Sequence, residues 1–233
     1  MRSVDVSVVV MRESTFVATK RTARSAPASK QTVEIDMVEI DMVDGRTARR
    51  ERNKIAVVDA YLDLIREGVT QPAVADVAER SGVSHRSVFR YFADRDEMAR
   101  RSIERQHERV GPLFRQRVDE YLPLADRVSE LIELRTRLFD TIAPTARLSR
   151  ALASTQPIIQ DELTASRAFL RAAVKRLFAA ELAAMSTESA ADTLAALDVL
   201  TSFESFDLLR SDRGLTKPRT ARVLRSALMT LLG

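Results

Sequence analysis

The sequence predicts an all-α protein, and three observations support this fold class. Apolar residues recur at helical spacing over most of the chain after residue 45. The 233 residues include only six Gly, seven Pro and no Trp, and aromatic residues make up 5%. This composition disfavours a many-stranded β sandwich, and no βαβ unit or hairpin signal is present. Hydrophobic residues make up 45% of the chain, which is enough to build a buried core.

The composition excludes several kinds of functional site. The absence of Cys rules out disulfides, thiolate zinc sites, iron–sulfur clusters and a cysteine nucleophile. Two His residues leave little for a metal site, and no Gly-rich phosphate loop, GxSxG elbow or HExxH sequence occurs. We therefore expect no cofactor, no metal and no enzymatic activity. No run approaches 18 apolar residues and no signal peptide is evident, so a cytoplasmic protein without a membrane span is expected.

Residues 1–45 differ in composition from the rest and are expected to be disordered or weakly structured. Residues 18–32 are rich in Ser, Ala, Thr and basic side chains, as in a flexible arm. The pentapeptide Val-Glu-Ile-Asp-Met occurs twice in succession over 33–42, and its alternation allows a transient edge strand. Met37 and Met42 offer later starts, so one hypothesis is that the preceding segment is absent from the native protein. Mass spectrometry of the native N-terminus would test this.

The first convincing helix is expected over 46–67. Val58, Leu62 and Ile65 share one face with Ile55, and Gly68 ends the helix. A short second helix follows over about 72–81. Gly82 then allows a tight turn, and Ser84 is a good N-cap for a third helix through Tyr91.

The remainder is also expected to be helical. A fourth helix begins near Asp94 and ends at about residue 109, before Gly111-Pro112. Prolines and glycines mark the boundaries of the helices expected after it. These later helices are placed at about 113–121, 126–142, 144–153, 157–184, 187–211 and 216–231.

The window 74–92 carries the functional signal, because it reads as two short helices joined at a glycine turn. Its apolar residues are expected to form a small core: Val74, Val77, Ala78, Val83, Val88, Phe89 and Phe92. The remaining positions of the second helix then point outward: His85, Arg86, Ser87, Arg90 and Tyr91. These side chains suit a DNA major groove, since Arg forks to guanine, His and Ser exchange hydrogen bonds and a Tyr hydroxyl reaches phosphate. No acidic residue lies between Ser81 and Ala93, so phosphate would meet no repulsion.

The segment 46–99 resembles the DNA-binding domain of the TetR family of bacterial transcriptional regulators. The residues that carry the resemblance are Ile55-Ala56, Val77-Ala78, Gly82-Val83-Ser84, Phe89-Arg90-Tyr91-Phe92 and Arg95-Asp96-Glu97-Met98. Arg95 stands where the family usually has Lys. The family commonly opens its second helix with Thr or Ser, whereas this chain has Pro72-Ala73, with Thr70 as an alternative cap.

The resemblance implies a DNA-binding domain over 46–101 and assigns its contacts. Bases or nearby phosphates would be met by His85, Arg86, Ser87 and Arg90, with Ser84 at the start of the same helix. Tyr91 and Arg95 would contact phosphate, although Tyr91 could instead simply pack. Five bases lie within 46–54, among them Arg49 and Arg50, where positive charge opposes the helix dipole. This cluster is expected at the DNA backbone or minor groove, the alternative being a solvated basic end.

The nearly neutral segment 102–233 would be a helical effector-binding and dimerisation domain by the same resemblance. Apolar stripes on the last two helices are expected at a dimer interface, unless they are internal core: Leu200, Phe203, Leu224, Leu228 and Leu231. A ligand pocket is expected among the helices of 113–184, although such residues more often form core. Its lining would be Phe114, Tyr121, Leu138, Phe139, Leu170 and Phe178.

Together these expectations describe a sequence-specific DNA-binding regulator, a homodimeric repressor on a palindromic operator in double-stranded DNA. A small apolar effector would release it. Two alternatives stay open: a helical small-molecule-binding protein without specific DNA recognition, and a nonspecific DNA-coating protein.

Overall fold

A computed structural model describes the backbone of residues 32–233 and the side chains of residues 45–233. No strand occurs among these residues, so the all-α prediction is confirmed for them. A π-helical turn, Leu208–Asp212, follows the ninth helix. The helices are α1 Thr32–Arg66, α2 Val74–Ser81, α3 His85–Tyr91, α4 Arg95–Arg115, α5 Leu124–Leu152, α6 Pro157–Leu177, α7 Ala179–Ala183, α8 Thr187–Leu200, α9 Phe203–Asp207 and α10 Lys217–Leu232.

The chain divides into two units at Gly45, residues 1–45 and residues 46–233. The arm predicted over 18–32 lies almost entirely outside the described residues. The edge strand considered for 33–42 is not formed, because α1 is already helical from Thr32. A strand needs a neighbouring strand for its backbone hydrogen bonds, and the described chain offers none, whereas a helix satisfies these bonds internally. The fold described below is that of the second unit.

The three helices α1, α2 and α3 share a small core. Val57, Leu62 and Leu64 from α1 meet Val77 from α2 and Val88 from α3 in one cluster of buried side chains. Ile55 is exposed, although the sequence predicts it on the inner face, because the face that is buried begins at Lys54 and continues through 57 and 58. The cluster fixes α3 against the other two helices.

The larger core lies among α5, α6, α8 and α10. Ile132, Val174, Leu197 and Leu228 are all fully or almost fully buried within it. A second cluster joins α5 to α9, where the Phe139 ring lies 5.7 Å from that of Phe203 and 5.6 Å from that of Phe206. Over the described residues, no helix is sufficiently long and apolar to span a bilayer.

Two prolines lie inside helices where the sequence predicts breaks. Pro112 is inside α4 and Pro144 is inside α5. Each removes one backbone hydrogen bond, but buried neighbours such as Val110 and Ala146 keep the helix in place. Conversely, a helix that the sequence predicts, over 113–121, is not formed. Helix α4 ends at Arg115 and α5 begins only at Leu124.

Helix α4 connects the three-helix core to the larger one. Arg105 Nε donates to Asp59 Oδ1 at 2.6 Å, and Arg109 donates to Asp59 and Asp63 at 2.7 and 2.9 Å. The hydrogen bond from Arg105 is the main cause that lowers the pKa of Asp59. The C-terminal half of α4 contacts α5 and α6. A displacement of α4 would therefore be transmitted to α1 through these ion pairs.

Candidate nucleic-acid interface and ligand cavity

The turn between α2 and α3 sets the direction of α3. Gly82 ends α2 in the left-handed conformation, at φ +66° and ψ 17°. Its N–H donates to the carbonyl of Glu79 at 3.3 Å, and the next N–H, of Val83, donates to that of Ala78 at 3.2 Å. Ser84 then caps α3, because its Oγ accepts from the backbone N–H of Ser87. Both predicted roles are confirmed, since Gly82 forms the turn and Ser84 caps α3.

We expect Gly82→Ala to lower the free energy of unfolding by about 1–2 kcal/mol. No neighbouring atom lies within 4 Å of a Cβ built at Gly82, so the loss comes from the left-handed backbone and not from a clash. Urea unfolding measures it. Gly45→Ala is the matched control, since Gly45 has equally open surroundings but lies within helix α1. An equal loss in both variants would contradict the backbone explanation.

The outward face of α3 differs from the predicted one at two aromatic positions. His85, Arg86 and Arg90 are exposed, as the sequence predicts, and Ser87 is half-buried beside Ser84. Phe89, predicted in the core, is 64% exposed, and its ring centroid lies 5.3 Å from that of His85 in a T-shaped arrangement.

Tyr91 lies in the core and is only 8% exposed, although the sequence predicts it on the outward face. Val88 and Tyr91 are three residues apart and share the buried side of α3. Phe89 is rotated about 100° from Val88, and so it faces solvent. The Tyr91 hydroxyl accepts a hydrogen bond from Asn53 Nδ2 at 2.9 Å. Tyr91 therefore ties α3 to α1, and its predicted role as a phosphate contact loses its geometric support.

Exposed basic side chains also lie on α1 and at the start of α4. Arg49 and Arg50 lie one turn before Asn53 on α1 and are exposed, as is Arg95 at the start of α4. None of these three forms an ion pair with another described residue, unlike Arg105 and Arg109 of α4. Free exposed guanidinium groups can bind phosphate without first losing a carboxylate partner.

Lys54 does not belong to the exposed basic cluster that the sequence predicts over 46–54. It is buried, and its Nζ donates to Glu97 Oε1 at 2.8 Å. Glu97 also accepts from the N–H of Ala93, and Asp94 caps α4 by accepting from the N–H of Glu97. Lys54 therefore fixes the segment that follows α3 instead of facing a ligand. Thr70 does not cap α2 either, since the N-cap is Ala73 without a side-chain bond.

A large open cavity of about 1120 Å³ lies between α1, α4, α5, α6, α8 and α9. This volume slightly exceeds the range of about 300–1,000 Å³ typical of small-molecule sites. Phe114, Phe139 and Leu170 line it, as the sequence predicts.

The other three predicted pocket residues lie elsewhere. Tyr121, 89% exposed, and Leu138 line a separate cavity of about 250 Å³. Phe178 lines neither cavity, because it is fully buried in the larger core below the guanidinium of Arg127. Helical spacing alone does not distinguish a cavity wall from a filled core, since apolar residues line both.

Charged side chains on the wall of the large cavity form two clusters. Glu204 Oε1 accepts from Arg150 at 3.0 Å and from Arg167 at 2.5 Å. Burial raises the pKa of Glu204, but these two hydrogen bonds, a backbone hydrogen bond and the charge of Arg150 together lower that pKa to about 2. Sequence patterns gave no sign of this group, because its members are 37 and 54 residues apart.

In the second cluster, His107 Nε2 lies 2.7 Å from Glu162 Oε1. This hydrogen bond raises the pKa of the histidine. Ser166 Oγ donates to the same carboxylate oxygen at 2.9 Å. The order is serine, carboxylate, imidazole. This differs from a hydrolytic triad, in which the imidazole must lie beside the hydroxyl to accept its proton.

The residues predicted at a dimer interface are largely internal. Phe203, Leu224 and Leu228 are buried in the cores described above, and Leu200 and Leu231 pack against the larger core. The stripe that faces solvent is the neighbouring one on each helix. On α8 it comprises Ala191, Ala195 and Val199, and on α10 Val223 and Thr230.

No family model matches the sequence, and no curated protein matches it. Solved structures similar in fold include the following two. One is a transcriptional regulator from Rhodococcus sp. Rha1, with a TM-score of 0.56 and 18% identity over 78% of this chain and 95% of the other. The second, from Rhodococcus sp., is assigned to the TetR family of transcriptional regulators; its TM-score is 0.57 and its identity 16%, over 80% of this chain and all of the other. Together with the helix-turn-helix geometry, this likeness shows that the chain has the all-α fold of TetR-family transcriptional regulators.

Proposed function

We propose that the protein is a transcriptional repressor that binds a palindromic operator in double-stranded DNA as a homodimer. It acts in the cytoplasm, where the DNA is, through a DNA-binding domain over 46–101 and a regulatory domain over 102–233. The observation that carries the proposal is the outward face of α3. Arg86 and Arg90 are exposed there without an acidic neighbour, on a short helix fixed by Gly82, Ser84 and the core.

The contacts follow from the exposed groups. Arg86, Arg90 and His85 read base edges in the major groove, with Ser84 and Ser87 at the N-terminal end of α3. Phe89, exposed on the same helix, adds an apolar surface suited to a thymine methyl group. Arg49, Arg50 and Arg95 contact phosphates on either side.

Binding to duplexes selected from a random library tests the proposal, by fluorescence anisotropy at fixed salt with random competitor DNA. We expect a selected duplex to bind at least a thousandfold more tightly than random DNA. If no duplex is preferred but small molecules still bind, the protein is a ligand-binding protein without specific DNA recognition, the candidate that the cavity of about 1120 Å³ favours. Uniform binding to all duplexes would instead indicate a nonspecific DNA-coating protein.

The homodimer is proposed through the exposed stripes on α8 and α10, not the buried ones predicted from sequence. Small residues such as Ala191 and Ala195 permit close approach of a second copy. The exposed charges are complementary, since α8 carries Glu188 and Asp192 while α10 carries Arg219 and Arg222. A two-fold interface brings the same patch of each copy together.

Val223→Asp is expected to raise the dimer dissociation constant at least a hundredfold, about 3 kcal/mol. The substitution buries a new carboxylate twice in a two-fold interface. Sedimentation equilibrium measures the change. Leu208→Asp is the matched control, because Leu208 is as exposed as Val223 but lies in the π-helical turn outside the two stripes. Dimerisation unchanged in V223D, or weakened equally in L208D, would contradict this interface.

Ligand control is proposed through α4. The large cavity is lined by α4 residues such as Met98, Ile103 and Phe114, and α4 is ion-paired to α1 through Asp59. A small apolar effector that favours one position of α4 would change the separation of the two α3 helices in the dimer.

A further inference from the structure

Two buried arginines on α5 differ in how their charge is compensated. Arg127, 7% exposed, donates to the carbonyls of Leu122 and Leu177 at 2.9 and 2.7 Å. It also forms an ion pair with Glu181 and lies over the ring of Phe178. Its donors and its charge are therefore satisfied within the protein, as a structural buried arginine requires.

Arg135 lies two turns further along the same helix and is 5% exposed. Its Nη2 donates to the carbonyl of Leu170 at 3.0 Å, but its buried Nε has no hydrogen-bond partner. No carboxylate of the described residues is within ion-pair distance. Asp198 acts on Arg135 only at longer range and is hydrogen-bonded to Arg171 at 3.1 Å. Burial lowers the pKa of Arg135 to about 10, so the group is still charged at neutral pH.

A buried charge without a partner is strongly unfavourable, and proteins normally place an anion beside it. The space for such an anion is present. Arg135 lines the cavity of about 250 Å³, whose walls include Leu134, Leu138, Phe169 and Ala173. This cavity adjoins the large one, since Phe114 and Leu170 line both.

The charges around the small cavity limit the class of anion. Arg117 and Arg176 are exposed, as are Asp119 and Glu120, so these four charges balance in number. Arg135 is thus the one buried charge among the residues that line this cavity. A single buried guanidinium matches one carboxylate, with two parallel hydrogen bonds, and leaves the remaining wall apolar. The volume is below the usual lower limit of about 300 Å³ for drug-sized ligands, so the acid must be small.

We propose that this cavity binds a small monocarboxylic acid, with its carboxylate on Arg135 and its aliphatic or aromatic body against the leucine and phenylalanine wall. The site is separate from the DNA-binding face and from the large cavity proposed for the apolar effector. Its test therefore measures ligand binding alone and does not depend on whether the protein binds DNA.

The experiment uses the full chain, with isothermal titration calorimetry and thermal unfolding. The probes are hexanoate and phenylacetate, their neutral amides hexanamide and phenylacetamide, and sodium chloride at the same ionic strength. We expect at least one acid to bind ten times or more tightly than its amide, and to raise the unfolding temperature where chloride does not.

Three variants assign that binding to Arg135. Arg135→Met should reduce the affinity for the acid at least tenfold, while the protein stays folded because an apolar side chain replaces the charge. Arg135→Lys keeps the charge and should retain part of the affinity, which also covers the case in which the methionine variant does not fold. Arg176→Met changes an exposed arginine of the same cavity and should alter the affinity less than threefold.

The proposal is overturned if every acid binds no better than its amide or than chloride. It is equally overturned if Arg135→Met binds the acid as tightly as the original protein does, since the acid would then occupy another site.

Discussion

Glu181→Ala is expected to lower the free energy of unfolding by about 3–5 kcal/mol, one of the largest effects of any single substitution in this protein. Glu181 is the carboxylate partner of Arg127, which is buried under α6 and α7. Its removal leaves the guanidinium charged in the core with two carbonyl partners only. Urea unfolding followed by circular dichroism at neutral pH measures the loss.

Two controls separate an unpaired charge from the loss of a side chain. The double variant Arg127→Met with Glu181→Leu removes both charges, and its stability should equal or exceed that of the original protein. Glu130→Ala removes an exposed carboxylate of α5 and should change stability by less than about 0.5 kcal/mol. A double variant as unstable as Glu181→Ala would show that packing, not charge, dominates here.

The same pair has a defined dependence on pH. The hydrogen bond from Arg127 lowers the pKa of Glu181 below its ordinary value of 4.5. A carboxyl with a lowered folded-state pKa stabilises the fold above its unfolded-state pKa, and this contribution is lost as the pH falls through the folded-state value. The stability difference between Glu181→Ala and the original protein should therefore be full at neutral pH and shrink below about pH 4.5.

Arg86→Ala is expected to weaken operator binding by about 1–3 kcal/mol, which is roughly 5- to 150-fold, and to relax the preference for one base pair. Arg86 is exposed near the start of α3 and has no ion-pair partner among the described residues. Its guanidinium can therefore hydrogen-bond to a base edge without first breaking an ion pair. Anisotropy titrations against the selected operator and its single-base variants measure both effects.

Arg95→Ala serves as the comparison for a phosphate contact. It should weaken binding to operator and random DNA alike and reduce the salt slope of binding by about one unit. Arg95 is the first residue of α4, whose start is fixed by the Asp94 cap, and it lies four residues after the end of α3 in the chain. Equal effects of both substitutions on operator and random DNA would refute the division between base reading and phosphate contact.

Much of the helix-turn-helix region could be predicted because its signals are local. Gly82 is required by a backbone conformation, and Ser84 and Asp94 by the unsatisfied N–H groups at helix starts. The exposure of Arg86 and Arg90 follows from the cost of burying a charge. Each of these depends on a few neighbouring residues, so the sequence was sufficient.

The aromatic positions of α3 show where this reasoning fails. Phe89 and Tyr91 are both aromatic, and hydrophobicity alone assigned the more apolar one to the core. The register of α3 against α1 decides otherwise, since Asn53 offers a hydrogen bond to the Tyr91 hydroxyl and the buried side of the helix passes through Val88. A hydrogen-bond partner 38 residues away cannot be recognised from the local sequence pattern.

The helical class, the glycine turn, the capped helix α3 and its acid-free basic face were thus set by the sequence, because short-range sterics and solvation impose them. Tertiary packing decided which of two adjacent apolar stripes on α8 and α10 is buried, which phenylalanines line a cavity and which fill the core. It also gave Arg127 a carboxylate and left Arg135 without one, although both are arginines on one helix. The reason is physical: burial and charge compensation depend on side chains that distant parts of the chain bring together.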